Sequence, residues 1–123
     1  MYQVKGRLGG DNQLRAFLLD TAANCNVMPL SLCQKLGLVI RPSPTGSVIG
    51  VGNQEVQVEG EVVSHTQLGE DCRELAFVVL KNNERLIIGT PGLRALGIQI
   101  NCADKSISTS SGGKLACLFL QKN

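Results

Sequence analysis

Short segments in which apolar and polar residues alternate dominate the first part of the chain. Tyr2, Val4 and Leu8 alternate with polar side chains, and a second apolar segment covers residues 13–19. The Gly-Gly-Asp-Asn sequence between the two segments has the composition of a tight turn. Since alternation with a period of two is typical of a strand with one buried face, this region predicts a β-hairpin.

The rest of the chain continues in short elements. Two short helices are predicted: residues 30–36, which follow Pro29, and residues 91–96, for which Thr90 is the expected N-cap. A glycine ends each helix. Further strands are predicted at residues 47–51, 54–63, 75–80, 86–88, 98–102 and 105–108, and a last strand at 115–120 could pair with a partner chain.

Many short strands with turn residues between them are typical of an all-β fold. The pattern favours a closed β-barrel or a β-sandwich with one or two short helices. No internal repeat and no shift in composition divides the sequence, so we expect a single domain of residues 1–123.

Composition and charge narrow the classes of function. The net charge is only +2, no basic cluster occurs, and the aromatic residues are one Tyr and three Phe, so a nucleic-acid groove is not expected. No apolar run approaches the roughly 20 residues that span a bilayer, so no membrane partner is expected.

The cysteines argue against a metal site and for a reducing compartment. The chain has five cysteines and one histidine, without a Cys-x-x-Cys pair, so neither a zinc site nor any other metal site is predicted. The first residues lack a secretory signal. We therefore expect an intracellular protein, in the cytoplasm or the nucleus, with reduced thiols.

The segment with candidate chemistry is Phe17-Leu18-Leu19-Asp20-Thr21-Ala22-Ala23. An apolar strand carries a carboxylate at its end, and the small residues that follow leave room for a substrate backbone. A carboxylate used in acid/base chemistry needs such a rigid mount. Taken alone, these residues are more often a strand that ends in a turn, in which Asp20 accepts a hydrogen bond from the backbone of Ala22 or Ala23.

Three segments together resemble the retropepsins, the retroviral-type aspartic proteases. Residues 14–29 resemble the active-site strand of that family and the segment that follows it. The closest likeness is to the DNA-damage-inducible type and to nuclear-receptor-interacting proteins with a similar domain. The segment that contains Val48, Ile49, Gly50, Val51 and Gly52 lies where the family has its substrate-covering flap. Residues 86–98 resemble the second apolar-apolar-Gly motif, here Ile87, Ile88 and Gly89.

The resemblance implies an all-β retropepsin fold with one half-site per chain and an aspartic endopeptidase activity. Asp20 would be the catalytic residue and would pair with its copy in a homodimer. Thr21 would connect the two active-site loops, and Ala22 and Ala23 would line the floor below a polypeptide substrate. No metal or organic cofactor is implied. The family has glycine at the position of Ala22, so the methyl group there bears directly on activity.

Two alternatives remain open. The same fold can serve as an inactive dimerisation or protein-interaction module, for example in a nuclear-receptor transcriptional co-regulator, and Ala22 favours this hypothesis. Residues 115–119 are close to the L-x-x-L-L pattern of receptor-docking helices, although the last residue differs. A structural β domain without any site is the second alternative.

Overall fold

The chain begins with the hairpin that its alternating pattern predicts. In the computed structural model, which describes residues 1–44, 46–49 and 55–119, β1 (Tyr2–Leu8) pairs antiparallel with β2 (Arg15–Leu19). Gly9 turns the chain with a φ of 58°, a left-handed conformation that glycine adopts without strain. The apolar side chains of β1 point into the core and its polar side chains point outwards.

Nine further strands and two helices follow the hairpin in the described residues. They are β3 (Val27–Pro29), α1 (Leu30–Leu36), β4 (Ser47–Ile49), β5 (Glu55–Leu68), β6 (Asp71–Leu80), β7 (Leu86–Ile88), α2 (Thr90–Ala95), β8 (Gln99–Asn101), β9 (Ser106–Ser108), β10 (Lys114–Leu115) and β11 (Cys117–Phe119).

Eight of the described strands form one sheet. Its order is β11-β1-β2-β7-β3-β6-β5-β4, and β1 also pairs with β5 through Arg7 and Leu8, so the sheet closes on itself as a barrel. The other three described strands, β8, β9 and β10, form a small separate sheet.

The core fills the inside of this barrel. It is built from aliphatic side chains and two phenylalanines, Phe17 of β2 and Phe77 of β6, both completely buried. α1 contributes the buried Cys33, and Leu96 after α2 is also fully buried. Burial of this apolar surface is the main driving force for folding. The all-β class with two short helices is thus confirmed.

Three details differ from the sequence-based expectations. β5 extends to Leu68, and Ser64 and Thr66 lie on its buried face. The Thr66 hydroxyl donates a hydrogen bond to the Ser64 carbonyl oxygen (3.3 Å), which allows a polar residue at a core position. Gly89, not Thr90, is the N-cap of α2. The expected last strand is divided in two, and its second part, β11, pairs with β1 of the same chain.

Candidate active site

Parallel pairing of β2 with β7 brings the two apolar motifs of the sequence to one edge of the sheet. Leu19 lies beside Ile88, and the amide of Asp20 donates a hydrogen bond to the carbonyl oxygen of Ile88 (2.9 Å). Because both strands run in the same direction, the residues that follow them, Asp20 and Gly89, emerge side by side. The sequence places Asp20 and residues 87–89 far apart, and the fold joins them in one site.

The loop after β2 holds the backbone and the carboxylate of Asp20. The Ala22 amide donates to Oδ1 of Asp20 (3.0 Å), and the Ala23 amide donates to the Asp20 carbonyl oxygen (3.2 Å). The turn expected from the sequence is therefore present. In this turn Oδ1 of Asp20 accepts the hydrogen bond from the Ala22 amide. Asp20 is half-buried, whereas Thr21 and Ala22 are exposed.

Gly89 lets the second motif approach the aspartate loop closely. A Cβ atom on Gly89 would lie 2.8 Å from the carbonyl oxygen of Ala23 and still closer to that of Cys25. Both neighbours are backbone atoms, which cannot rotate away. The Thr90 amide donates to the Ala23 carbonyl oxygen (2.9 Å) and so fixes the two segments to each other. Space, not backbone conformation, explains the glycine at this position.

Asn26 connects the aspartate loop to both sides of the site. Its side chain is 3% exposed, and its Oδ1 accepts hydrogen bonds from the amides of Gly89 (2.9 Å) and Gly92 (3.1 Å). Its Nδ2 donates to the carbonyl oxygen of Ala76 on β6 (3.0 Å). Sequence analysis did not single out this residue. The available signal was a polar residue directly before the apolar run of β3, but Asn24, which is exposed, looks equivalent in the sequence.

Ala22 occupies its position without backbone strain. Among the described residues other than glycine, Lys105 alone has a positive φ. The chain conformation at Ala22 therefore does not require glycine, and the consequence of alanine here is confined to the volume of one exposed methyl group beside the carboxylate.

The expected flap is described only at its base. β4 pairs with β5 in the register Ser47 with Gln57, Val48 with Val56 and Ile49 with Glu55, so a hairpin begins where the resemblance places it. The residues expected at its tip, Gly50, Val51 and Gly52, lie outside the described part of the chain.

Three other aspartates serve local structure. Asp11 bonds Arg15 (2.6 Å), Asp71 accepts from Ser111 (2.9 Å), and Asp104 accepts from the amide of Ser106 (3.1 Å). Side-chain hydrogen bonds lower the pKa of each of these carboxyls, so all three are held as charged turn residues. None of these interactions involves Asp20.

Two cysteines, Cys25 and Cys33, are unsuited to nucleophilic chemistry. Burial raises the pKa of Cys25, and it raises the pKa of Cys33 to about 11. A thiol that stays protonated at neutral pH is a packing residue. In the part of the chain that the structure describes, no group of His, Cys, Asp and Glu side chains could hold a metal ion. No described helix is long and apolar enough to cross a membrane.

Comparison with known proteins agrees with this geometry. Among the solved structures that share the fold are the retroviral protease-like domain of Ddi1 from Leishmania major and the EIAV protease complexed with the inhibitor HBY-793. The first has a TM-score of 0.73 and 18% sequence identity, over 96% of this chain and 94% of that chain. The second has a TM-score of 0.66 and 18% identity, over 80% of this chain and 90% of that chain.

A search of curated protein sequences finds no match. The sequence profile of the aspartyl protease family, in contrast, matches residues 4–92, which include most of β1, the Asp20 loop and the Gly89 motif. This span covers well over half of the chain, and the fold is that of the retropepsins. The chain therefore belongs to the aspartyl protease family and is a retropepsin-like domain.

Proposed function

We propose that this chain is one half of an aspartic endopeptidase, which cleaves polypeptides as a homodimer with one Asp20 from each chain. The observation that carries the proposal is the placement of Asp20. It ends a buried strand, and backbone hydrogen bonds hold it beside the second apolar-Gly motif, with part of its surface accessible.

Cleavage by this chemistry needs two carboxylates. Like charges a few ångströms apart cannot both ionise, so the pair shares a proton. One carboxylate then takes a proton from the attacking water, and the other donates a proton to the carbonyl oxygen of the peptide. Asp11, Asp71 and Asp104 are bonded elsewhere, so a second copy of Asp20 is the best source of the second carboxylate. A two-fold axis beside Asp20 would supply it.

One edge of the sheet supports association with a second copy. Among the described strands, β11 is the outermost one beside β1, and its Leu118 and Phe119 are 55% and 40% exposed. Such an edge offers free backbone groups and apolar side chains to another strand. The Phe119 ring packs edge-on against Tyr2, with 5.1 Å between the ring centroids, which orders the edge.

The remaining site residues take their roles from this arrangement. Thr21, which is exposed, would bond the partner's loop, and Ala22 and Ala23 would line the floor below the substrate. The hairpin that starts with Val48 and Ile49 would cover an extended peptide and exclude water. The substrate would bind as an added strand. All five cysteines are free thiols, which supports a reducing compartment, the cytoplasm or the nucleus.

A mixing experiment tests both the chemistry and the shared site. Purified wild type is incubated with a library of peptides from acidic to neutral pH, and the cleavage products are identified by mass spectrometry. The Asp20→Asn variant should cleave nothing. In an equimolar, re-equilibrated mixture of the two proteins, about a quarter of random dimers carry two aspartates. The cleavage rate of the mixture should therefore be about a quarter of the rate of wild type at the same total protein concentration. A monomeric enzyme would keep about half of that rate.

The rival proposal is a catalytically weak or inactive interaction module with the same fold. The exposed Ala22 methyl group beside Asp20 favours it. A role in a nuclear-receptor co-regulator would need another docking surface, because residues 114–115 and 117–119 are strands rather than a docking helix. Stable dimers in sedimentation experiments, without any cleavage that depends on Asp20, would favour this proposal over the endopeptidase.

A further inference from the structure

A cleft of about 650 Å³ lies on the outside of the barrel, away from the Asp20 carboxylate. Its walls are the outer face of β2, the helix α1 and the chain that leads into β7. Leu18, two residues before Asp20, is the lining residue closest to the aspartate in the sequence, and Asp20 itself does not line the cleft. The volume is in the range of ligand sites in proteins.

Positive charge dominates the lining. Arg15, Lys35 and Arg85 contribute three cationic side chains, and Glu84 is the one acidic residue among the lining residues. Arg15 is partly neutralised by Asp11, which bonds one end of its guanidinium group at 2.6 Å.

Much of this positive charge has no partner. Nε of Arg15 is buried and has no hydrogen-bond acceptor in the described structure. Within the same described residues, neither Lys35 nor Arg85 forms an ion pair. The hydrogen bond from Arg15 is the main reason that the pKa of Asp11 is lowered, and Lys35 lies near enough to Asp11 to lower it further. Arginine side chains in such a setting bind carboxylates with two parallel hydrogen bonds.

The same cleft also offers apolar contacts. Leu14 lines it and is 51% exposed, although it is a large aliphatic side chain. Leu18, Leu32 and Leu86 supply further apolar lining. An exposed apolar surface bordered by charge is typical of a site for a polypeptide. A small inorganic anion would use the cations and leave Leu14 uncovered.

We propose that this cleft binds an acidic peptide segment that carries a large apolar side chain. Its carboxylates would pair with Arg15, Lys35 and Arg85, and its apolar side chain would cover Leu14. The proposal does not depend on the endopeptidase activity, because Asp20 does not line the cleft. For the same reason the occupant is a segment of a partner protein rather than the cleaved substrate, and cleavage of the bound peptide by the wild-type protein would contradict this assignment.

The test uses the full chain with the Asp20→Asn substitution, so that cleavage cannot interfere. A short fluorescein-labelled peptide of glutamates and leucines is titrated with the protein, and binding is followed by fluorescence anisotropy. The double variant Lys35→Gln/Arg85→Gln should bind about fivefold more weakly. The control Lys5→Gln/Lys81→Gln, which removes two exposed charges outside the cleft, should bind like the parent.

Two further arms separate the charged from the apolar contribution. Added salt should weaken binding of the acidic peptide, because exposed charges are screened, and Leu14→Ser should weaken it by about fivefold at every salt concentration. The same peptide with glutamine in place of glutamate should bind more weakly, by at least the factor seen for the Lys35→Gln/Arg85→Gln variant. Equal binding of the two double variants, equal binding of the two peptides, or no binding at all would overturn the proposal. Circular dichroism confirms that each variant is folded.

Discussion

Replacement of Asn26 by alanine should destabilise the protein more than any other single change to a polar side chain of the aspartate loop. The substitution leaves the backbone in place and removes an amide that makes three hydrogen bonds. The amides of Gly89 and Gly92 lose their buried acceptor, and the carbonyl oxygen of Ala76 loses a donor. No other described side chain is bonded to these three groups.

The magnitude follows from the burial of these groups. A buried donor or acceptor without a partner costs about 1–3 kcal/mol. The two amides are buried, so the loss should be about 2–6 kcal/mol. Since small domains unfold at a cost of about 5–15 kcal/mol, this is a large fraction of the total stability.

Urea unfolding followed by circular dichroism measures this loss. Asn24→Ala, in the same loop but exposed, is the matched control and should change the free energy of unfolding by no more than about 0.5 kcal/mol. If Asn26→Ala and Asn24→Ala unfolded with the same urea midpoint and the same slope, the hydrogen bonds of Asn26 would not hold the two sides of the site together.

Other variants test the packing of the site. Gly89→Ala should destabilise by about 1–3 kcal/mol in the same unfolding assay, since its Cβ would meet backbone carbonyl groups; Gly10→Ala, with no atom near its Cβ, should be almost neutral, and equal effects would refute the steric argument. Ala22→Gly should raise the rate of peptide cleavage by up to about tenfold, because the methyl group beside the carboxylate is removed; an unchanged or lower rate would show that this methyl group does not obstruct the substrate. Cys33, whose pKa is raised by burial to about 11, should resist alkylation at mildly alkaline pH while the exposed Cys72 reacts, and mass spectrometry of the native protein would show the opposite if the thiol were accessible.

Features of the fold that depend on neighbouring residues could be predicted from the sequence. Alternation of apolar side chains predicted the first hairpin, and proline and glycine marked both helices. Apolar residues directly before Asp20 and before Gly89 identified two strand ends. Such signals are local, because a strand shows its buried face in every second residue and a turn needs particular residues at particular positions.

The way in which these segments meet could not be predicted and is seen in the folded chain. Parallel pairing of β2 and β7 placed Asp20 beside the Gly89 motif, and the fold buried Asn26 while it left Asn24 in solvent. It also brought β11 to β1 of the same chain. Hydrogen bonds between distant segments depend on strand register and on burial. Both are set by the two segments together, so the residues of one segment do not reveal them. Asn26 can hold distant segments together only because those segments surround its side chain and bury it.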